Sequence, residues 1–338
     1  MHFLAALLAL HVAPVVPNTP NKQPQLAAGN GIVAMVFGSG DALWFARSND
    51  NGRTFTAPAR IAALPKVLVG RHRGPRVAIA GNAIIVTAIS SDLYAWRSTD
   101  GGRTWSKPQI VNDKPTAARE GLDGLAADSQ GHVAVAWLDD RDAPGKRLYG
   151  AFSNDGGATW SKNVLLYQSP ERTICECCHP SLAALGNGEF AVMWRNVIAG
   201  SRDFYTLRIR DGKPVSSAAK LGEGTWKLSA CPMDGGGIAV ANGATYTVWR
   251  REHDIYLDQP GKPETKLGGG QDPALAANGA GPYAVWSTPQ GIQALAPGTS
   301  KPASIAPAGA FPAIVALPDG AMLAAWEENG SIATRRLE

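Results

Sequence analysis

The sequence has little charge of one sign, no long hydrophobic run after its first residues, few cysteines and no sustained helical period. Lys and Arg number 32 against 28 Asp and Glu, a net charge of +4. That balance lacks the concentrated basic face that phosphate binding needs, so nucleic acid is not an expected partner. Charged residues make up 18% of the chain and hydrophobic residues 45%, which excludes a disordered polyampholyte and leaves ample material for a core. Only Met1 to Val16 form an apolar stretch, broken by His2, His11 and Pro14, and it is too short for a comfortable membrane span. With the polar, proline-bearing run that follows, it reads as a secretory leader lacking a positively charged start. The expected organisation is therefore a leader and linker over 1–20 and one domain over 21–338, with no membrane span once the leader is removed. The expected location is secreted or periplasmic, where the four cysteines meet oxidising conditions.

What the chain has in quantity is turns, with 38 Gly and 24 Pro, and short alternating runs between them. Val33 to Phe37, Ile85 to Ile89, Val133 to Trp137, Ala191 to Trp194, Tyr246 to Trp249, Tyr283 to Trp286 and Leu323 to Trp326 share one pattern. Each follows an apolar run closed by Gly, Asn or Asp and precedes another short strand, so strand, tight turn, strand recurs in units of roughly 45 residues. The fold class expected is all-β, a β-propeller of seven blades, with six blades as the alternative if one unit is miscounted. The last unit has three strands before Glu338, so the segment Gln23 to Ala28 is expected to supply its fourth. The repeated tryptophans read as packing between blades.

Three hairpins share one motif: Ser48-Asn49-Asp50-Asn51-Gly52-Arg53-Thr54-Phe55, Ser98-Thr99-Asp100-Gly101-Gly102-Arg103-Thr104-Trp105 and Ser153-Asn154-Asp155-Gly156-Gly157-Ala158-Thr159-Trp160. Asp accepts turn N–H groups, Gly supplies positive φ, the hydroxyls bond to backbone, and the aromatic fills the gap beside the sheet. With these Asp boxes the chain resembles the sialidase-like, or BNR-repeat, propellers over nearly its whole length after the leader. In that family the boxes lie opposite the active site, which places the boxes at the bottom and the candidate site at the top. The top then consists of the segments entering each innermost strand and the loops between second and third strands.

The entering segments carry Arg71-His72-Arg73-Gly74-Pro75-Arg76, Glu120-Gly121-Leu122-Asp123, Cys175-Glu176-Cys177-Cys178-His179-Pro180, Cys231-Pro232-Met233-Asp234 and Gln271-Asp272-Pro273. The other loops add Asp92, Asp139-Asp140-Arg141-Asp142, Arg195, Arg202-Asp203 and Arg250-Arg251-Glu252-His253-Asp254. The resemblance implies an arginine for a substrate carboxylate, matched here to Arg73, and acids for proton transfer, for which Glu120, Asp123, Asp92 and Asp272 are the candidates. Arginine suits the first role because its planar fork pairs bidentately with a carboxylate. No tyrosine stands in a recognisable nucleophile context. Arg71, His72, Arg76, Arg195, Arg250 and Asp272 are candidate ligand contacts, and Trp226 is a candidate stacking platform.

Four cysteines in two top-face segments allow three pairings, and two disulfides are the expectation. The alternative is a copper or zinc site drawn from Cys175, Cys177, Cys178, His179 and Cys231; one disulfide beside a metal pair is the mixed case. No cofactor is required by this reading. The function expected is an exported sialidase-like protein, a glycoside hydrolase or lyase acting on an acidic glycan, with carbohydrate or another anionic small ligand as partner. The other class is a non-catalytic propeller binding a ligand, metal or protein through its Cys/His-rich top face. A closed propeller needs no partner chain, so a monomer is expected.

Overall fold

The computed structural model describes residues 9–141 and 144–338. The start of the proposed leader, residues 1–8, and Asp142 lie outside them. Seven antiparallel sheets form the ring of a seven-bladed β-propeller, and no helix among the described residues is long and apolar enough to cross a membrane. In the second blade the strands run Arg76–Ala80, Ala83–Ile89, Leu93–Ser98 and Gln109–Ile110 from axis to rim. The other blades repeat that order.

The second strand of each blade carries the core. Ala83–Ile89, Val133–Asp139 and Glu189–Arg195 are buried at every position, because one face packs on the preceding blade and the other on the following one. Trp137, Trp194, Trp249, Trp286 and Trp326 fill these inter-blade layers as expected. Truncating any of them to Ala should cost roughly 3–5 kcal/mol.

The ring does not close as the sequence suggested. Gln23 to Ala28 belong to Lys22–Gly29, the innermost strand of the first blade, and the fourth strand of the last blade is Leu10–Val12, paired with Ser331–Leu337. The reason is local. Asn30 and Gly31 both take positive φ (48° and 74°), which makes a tight hairpin from Lys22–Gly29 to Ile32–Ser39. Asn21 then ties the chain to the closing strand, its Nδ2 donating to the carbonyls of Val12 and Ala13 and its N–H to that of Gly330. Part of the stretch read as a leader thus completes the seventh blade.

The three Asp boxes are built as their residues require. Ser48 Oγ donates to Asp50 (2.6 Å) and accepts from Gly52 N (2.8 Å), while Thr54 gives its N–H and hydroxyl to Asp50. The other two boxes repeat this. Hydrogen bonds from the Ser48 and Thr54 hydroxyls hold Asp50 down at about 2. Gly102 has φ 83° and faces the Phe45 ring so closely that a Cβ would lie 2.1 Å from it, which explains glycine at that box position.

Candidate functional site

The top of the channel is assembled by a repeated device at the start of the innermost strands. Pro24, Pro75, Pro180, Pro273 and Pro312 occupy equivalent places at the start of the innermost strands; after four of them the second residue is an aliphatic that lines the channel (Leu26, Leu182, Leu275 and Ile314), and the residue before each proline enters from the top. In three blades that residue forms a bulge: Gln23, Asp272 and Phe311 have φ of 56°, 55° and 50°, at register shifts between Lys22 and Gln25, Gln271 and Ala274, and Ala310 and Ala313. A bulge re-aims a side chain, and left-handed non-glycine residues are held only where surroundings fix them.

His72 occupies the axis. It comes from the second blade, yet its Nε2 lies 2.8 Å from Asp272 of the sixth. Its ring stacks on His179 of the fourth blade with centroids 4.8 Å apart and meets Phe311 of the seventh edge-on at 5.3 Å. Two successive left-handed residues, Arg71 and His72 (φ 51° and 68°), bend the loop over the channel. Arg76 supports it from below, donating from Nη2 to the His72 carbonyl (2.5 Å) and from Nε to that of Asp123 (3.0 Å). Beneath His72 and His179 a cavity of about 160 Å³ follows the channel, its waist formed by Leu26, Leu125, Leu182, Ile238, Leu275 and Ile314.

A second carboxylate joins the pair. Asp234 Oδ2 accepts from Asp272 N (3.2 Å) and from Arg250 Nη1 (3.3 Å). Burial, and then the charge of Asp272, pushes Asp234 up from the usual carboxylate value. Burial likewise raises Asp123, against the pull of Arg76, and lowers Arg76. His179, buried and beside His72 and Arg76, is pushed well below the ordinary imidazole value and is neutral at physiological pH. Arg76 Nη1, His179 Nδ1, Asp234 Oδ1 and Asp272 Oδ2 are buried without a protein partner. Beside this ring, between the top ends of the inner strands of the fifth to seventh blades, lies a cleft of about 400 Å³ bounded by Arg250, His253 and Gln271.

Not every candidate residue joins this centre. Arg73 and Glu120 meet each other instead, Arg73 Nε donating to the Glu120 carbonyl (2.6 Å), within an ion network that includes Lys146 and Asp140. Asp92 braces a loop, accepting from Asn112 Nδ2 (2.7 Å) and Thr116 N (2.5 Å). Asp123 accepts from Thr87 Oγ1 (2.7 Å). Arg195 is fully buried and spends its guanidinium on the carbonyls of Arg202, Asp234 and Arg250. Trp226 is buried with the guanidinium carbons of Arg195 and Arg250 at 5.2 and 5.6 Å from its ring centre. Arg71 is exposed and donates to Met233 Sδ (3.4 Å). Asp234 is the central residue that was given no role among the candidates, although its segment, Cys231 to Asp234, was placed on the top face.

The cysteines form one disulfide, Cys177–Cys231, and two buried thiols, Cys175 and Cys178, rather than the two disulfides expected. Arg202 Nη1 lies 3.2 Å from Cys175 Sγ. The Cys178 side chain, with Arg195 beyond it, holds the Cys175 thiol down at about 6 against the effect of burial, whereas burial drives Cys178 well up. The fully buried, paired arrangement of Cys175 and Cys178 follows from the tight Cys-Glu-Cys-Cys turn, which brings three sulfurs to one side.

No protein-family model matches the sequence, and no curated protein sequence matches it. Solved structures do match over nearly the whole chain. A protein of unknown function from Dyadobacter fermentans is 14% identical with a TM-score of 0.59, each chain covered over 98%. A polysaccharide lyase, the PL25 ulvan lyase bound to -[GlcA(1-4)Rha3S]-, is 10% identical with a TM-score of 0.59, covering 98% of this chain and 96% of its own. The leech intramolecular trans-sialidase is 11% identical with a TM-score of 0.57, covering 97% of this chain and 69% of its own. At these identities the likeness is one of fold. The chain shares the β-propeller fold of these structures, which include a trans-sialidase and a polysaccharide lyase.

Proposed function

We propose that this is an exported carbohydrate-active propeller that takes an acidic saccharide on its top face, with His72 and Asp272 as its proton-transfer pair. The observation that carries the reading is the His72–Asp272 contact at the channel axis, next to a cleft edged by Arg250. Propeller ligands gather at such loop mouths. A fold relative that binds a glucuronate-containing saccharide adds weight.

Asp272 accepting from Nε2–H selects the tautomer of His72 whose Nδ1 is the basic nitrogen. Arg250, already beside the centre, and exposed Arg71 supply guanidinium groups for a carboxylate. An arginine-bound carboxylate lowers the barrier to removing the proton α to it, which is the chemistry of elimination. Among the described residues no tyrosine lines the channel or the cleft, so hydrolysis through a tyrosine nucleophile has no support here. We therefore favour a lyase over a sialidase.

A second reading, binding without chemistry, rests on the packing of His72 between His179 and Phe311, which leaves the ring little room to move. One assay separates the two. Purified protein is offered uronate-containing polysaccharides and sialosides, and both unsaturated products and saturable binding are measured for wild type, His72→Gln and Asp272→Asn. Turnover that falls by about 10²–10⁴ in His72→Gln supports the enzyme. Binding without turnover selects the second reading, and neither binding nor turnover discards both.

A further inference from the structure

The sulfur cluster beside the channel has a geometry that the saccharide reading does not use. Cys175 Sγ lies 3.7 Å from Cys177 Sγ and 3.5 Å from Cys178 Sγ, and these three ligand atoms all fall within 4.8 Å of one another. Cys231, bonded to Cys177, brings a fourth sulfur, and the Met233 thioether packs against the cluster. A metal that holds thiolates at about 2.3 Å in a tetrahedron separates them by about 3.8 Å. The two spacings from Cys175 are therefore close to the edges of a metal–thiolate site, and reduction must separate the Cys177 and Cys231 sulfurs to complete it.

The surroundings suit a charged cluster. All three of these cysteines are buried, so several thiolates there need compensating charge. Arg202 supplies it at Cys175 Sγ (3.2 Å), and Arg195 lies against the same segment, its carbonyl accepting from Cys175 N (3.0 Å). Among the His, Cys, Asp and Glu side chains of the described residues, the group gathered here is Cys175, Cys177 and Cys178, so its ligand atoms are sulfur. Soft thiolate and thioether donors select a cuprous ion over hard divalent cations.

We propose that the chain with Cys177–Cys231 reduced binds one cuprous ion through Cys175, Cys177 and Cys178, with Cys231 as the fourth sulfur, and that forming the disulfide disables the site. The redox step balances with a dithiol as reductant. The Cys177–Cys231 bond takes up two electrons and two protons to give two thiols, and the dithiol becomes its own disulfide. Cu(I) then displaces thiol protons to solvent without changing oxidation state. Re-oxidation of Cys177 and Cys231 withdraws two of the four donors. This inference is independent of the saccharide site.

The test uses the full chain, reduced anaerobically with a dithiol, freed of reductant and titrated with Cu(I) in competition with a chromophoric cuprous chelator. The expected result is one equivalent of copper retained by the reduced chain, with at least 100-fold weaker retention by the disulfide form and by Cys175→Ser/Cys178→Ser. X-ray absorption of copper-loaded wild type should show a sulfur-only shell, which keeps the test decisive if the double variant fails to fold. No stoichiometric retention by the reduced chain overturns the proposal. So does retention undiminished in a folded double variant, a nitrogen- or oxygen-dominated shell, or loading by Zn²⁺ with none by Cu(I).

Discussion

His72 Nε2 meets Asp272 Oδ1 at 2.8 Å across the axis of the ring, although 200 residues separate them along the chain. Each residue is presented by its own blade, but only the closed ring brings the two together. His72 is carried over the channel by its left-handed loop, and Asp272 is turned inward by a bulge before Pro273. The centre of the top face is therefore a property of ring closure, and changes that loosen the ring should be felt there.

Closure rests on Leu10–Val12, which pairs with Ile332 to Thr334. Removing residues 1–13 should leave the outer strand of the seventh blade as an open edge. The expected result is faster amide exchange over Ser331–Leu337 and a lower denaturation midpoint, read by hydrogen-exchange mass spectrometry and urea titration. Unchanged protection in the shortened chain would mean that the seventh blade is stable on three strands.

The Asp boxes should contribute to stability and leave the top face alone. Ser153 is buried and bridges Asp155 (2.7 Å) and Gly157 N (2.8 Å), so Ser153→Ala should cost about 1 kcal/mol in urea unfolding. Asp155 is opposed by burial but held down at about 2 by the Thr159 hydroxyl and N–H and by Ser153. A carboxylate with a lowered folded value gives stability that is present above its ordinary value of 3.8 and lost as pH falls toward about 2. Asp155→Asn should remove that part of the acid transition, while any ligand affinity of the top face stays unchanged.

The bottom of the molecule was legible in its residues, and the top only in part. Asp boxes are local, so Ser48 to Phe55 can be read without knowing what lies elsewhere. The second strands declare themselves because burial on both faces demands aliphatic and aromatic residues throughout, as in Val133–Asp139. The segments that reach the channel mouth were also legible, including those bearing His72, Asp272 and Asp234. Their pairing was not, since a contact between the second and sixth blades depends on ring diameter and loop bend rather than spacing. Arg73 and Glu120 show the same limit, because charged neighbours in the segments entering adjacent blades pair with each other. The closing strand escaped because Leu10–Val12 has the same apolar character as a leader. A proline two residues before a channel-lining aliphatic recurs in four blades and would have singled out Gln23, His179, Asp272 and Phe311.

His179 gives the protein a second acid-sensitive range. Burial, with His72 and Arg76 nearby, lowers its folded value well below the ordinary 6.5, so the unfolded chain takes up the proton first. Stability attributable to His179 is then present above about 6.5 and declines as pH falls below it, until the folded value is reached. Thermal melts across pH 4–8 (roughly the histidine range) should show this slope in wild type and a flatter one in His179→Gln. A wild-type curve that is level through that range would contradict the neutral, buried imidazole.

Gly235 is the position where stability and the site can be coupled on purpose. Its φ is not in the left-handed region, so the reason for glycine is space alone: a Cβ would lie 2.0 Å from His179 Cε1. Gly235→Ala must push the His179 ring away, and that ring stacks on His72. Overpacking of this kind costs roughly 1–3 kcal/mol. The substitution should also weaken whatever His72 does, in affinity or turnover, because its stacking partner moves. A double-mutant cycle with His179→Ala checks the cause: the alanine at 235 should cost less once the ring is gone, with a coupling of about 0.5–3 kcal/mol. Strict additivity would show that Gly235 is needed for some other reason, and the packing route from Gly235 through His179 to His72 would be discarded.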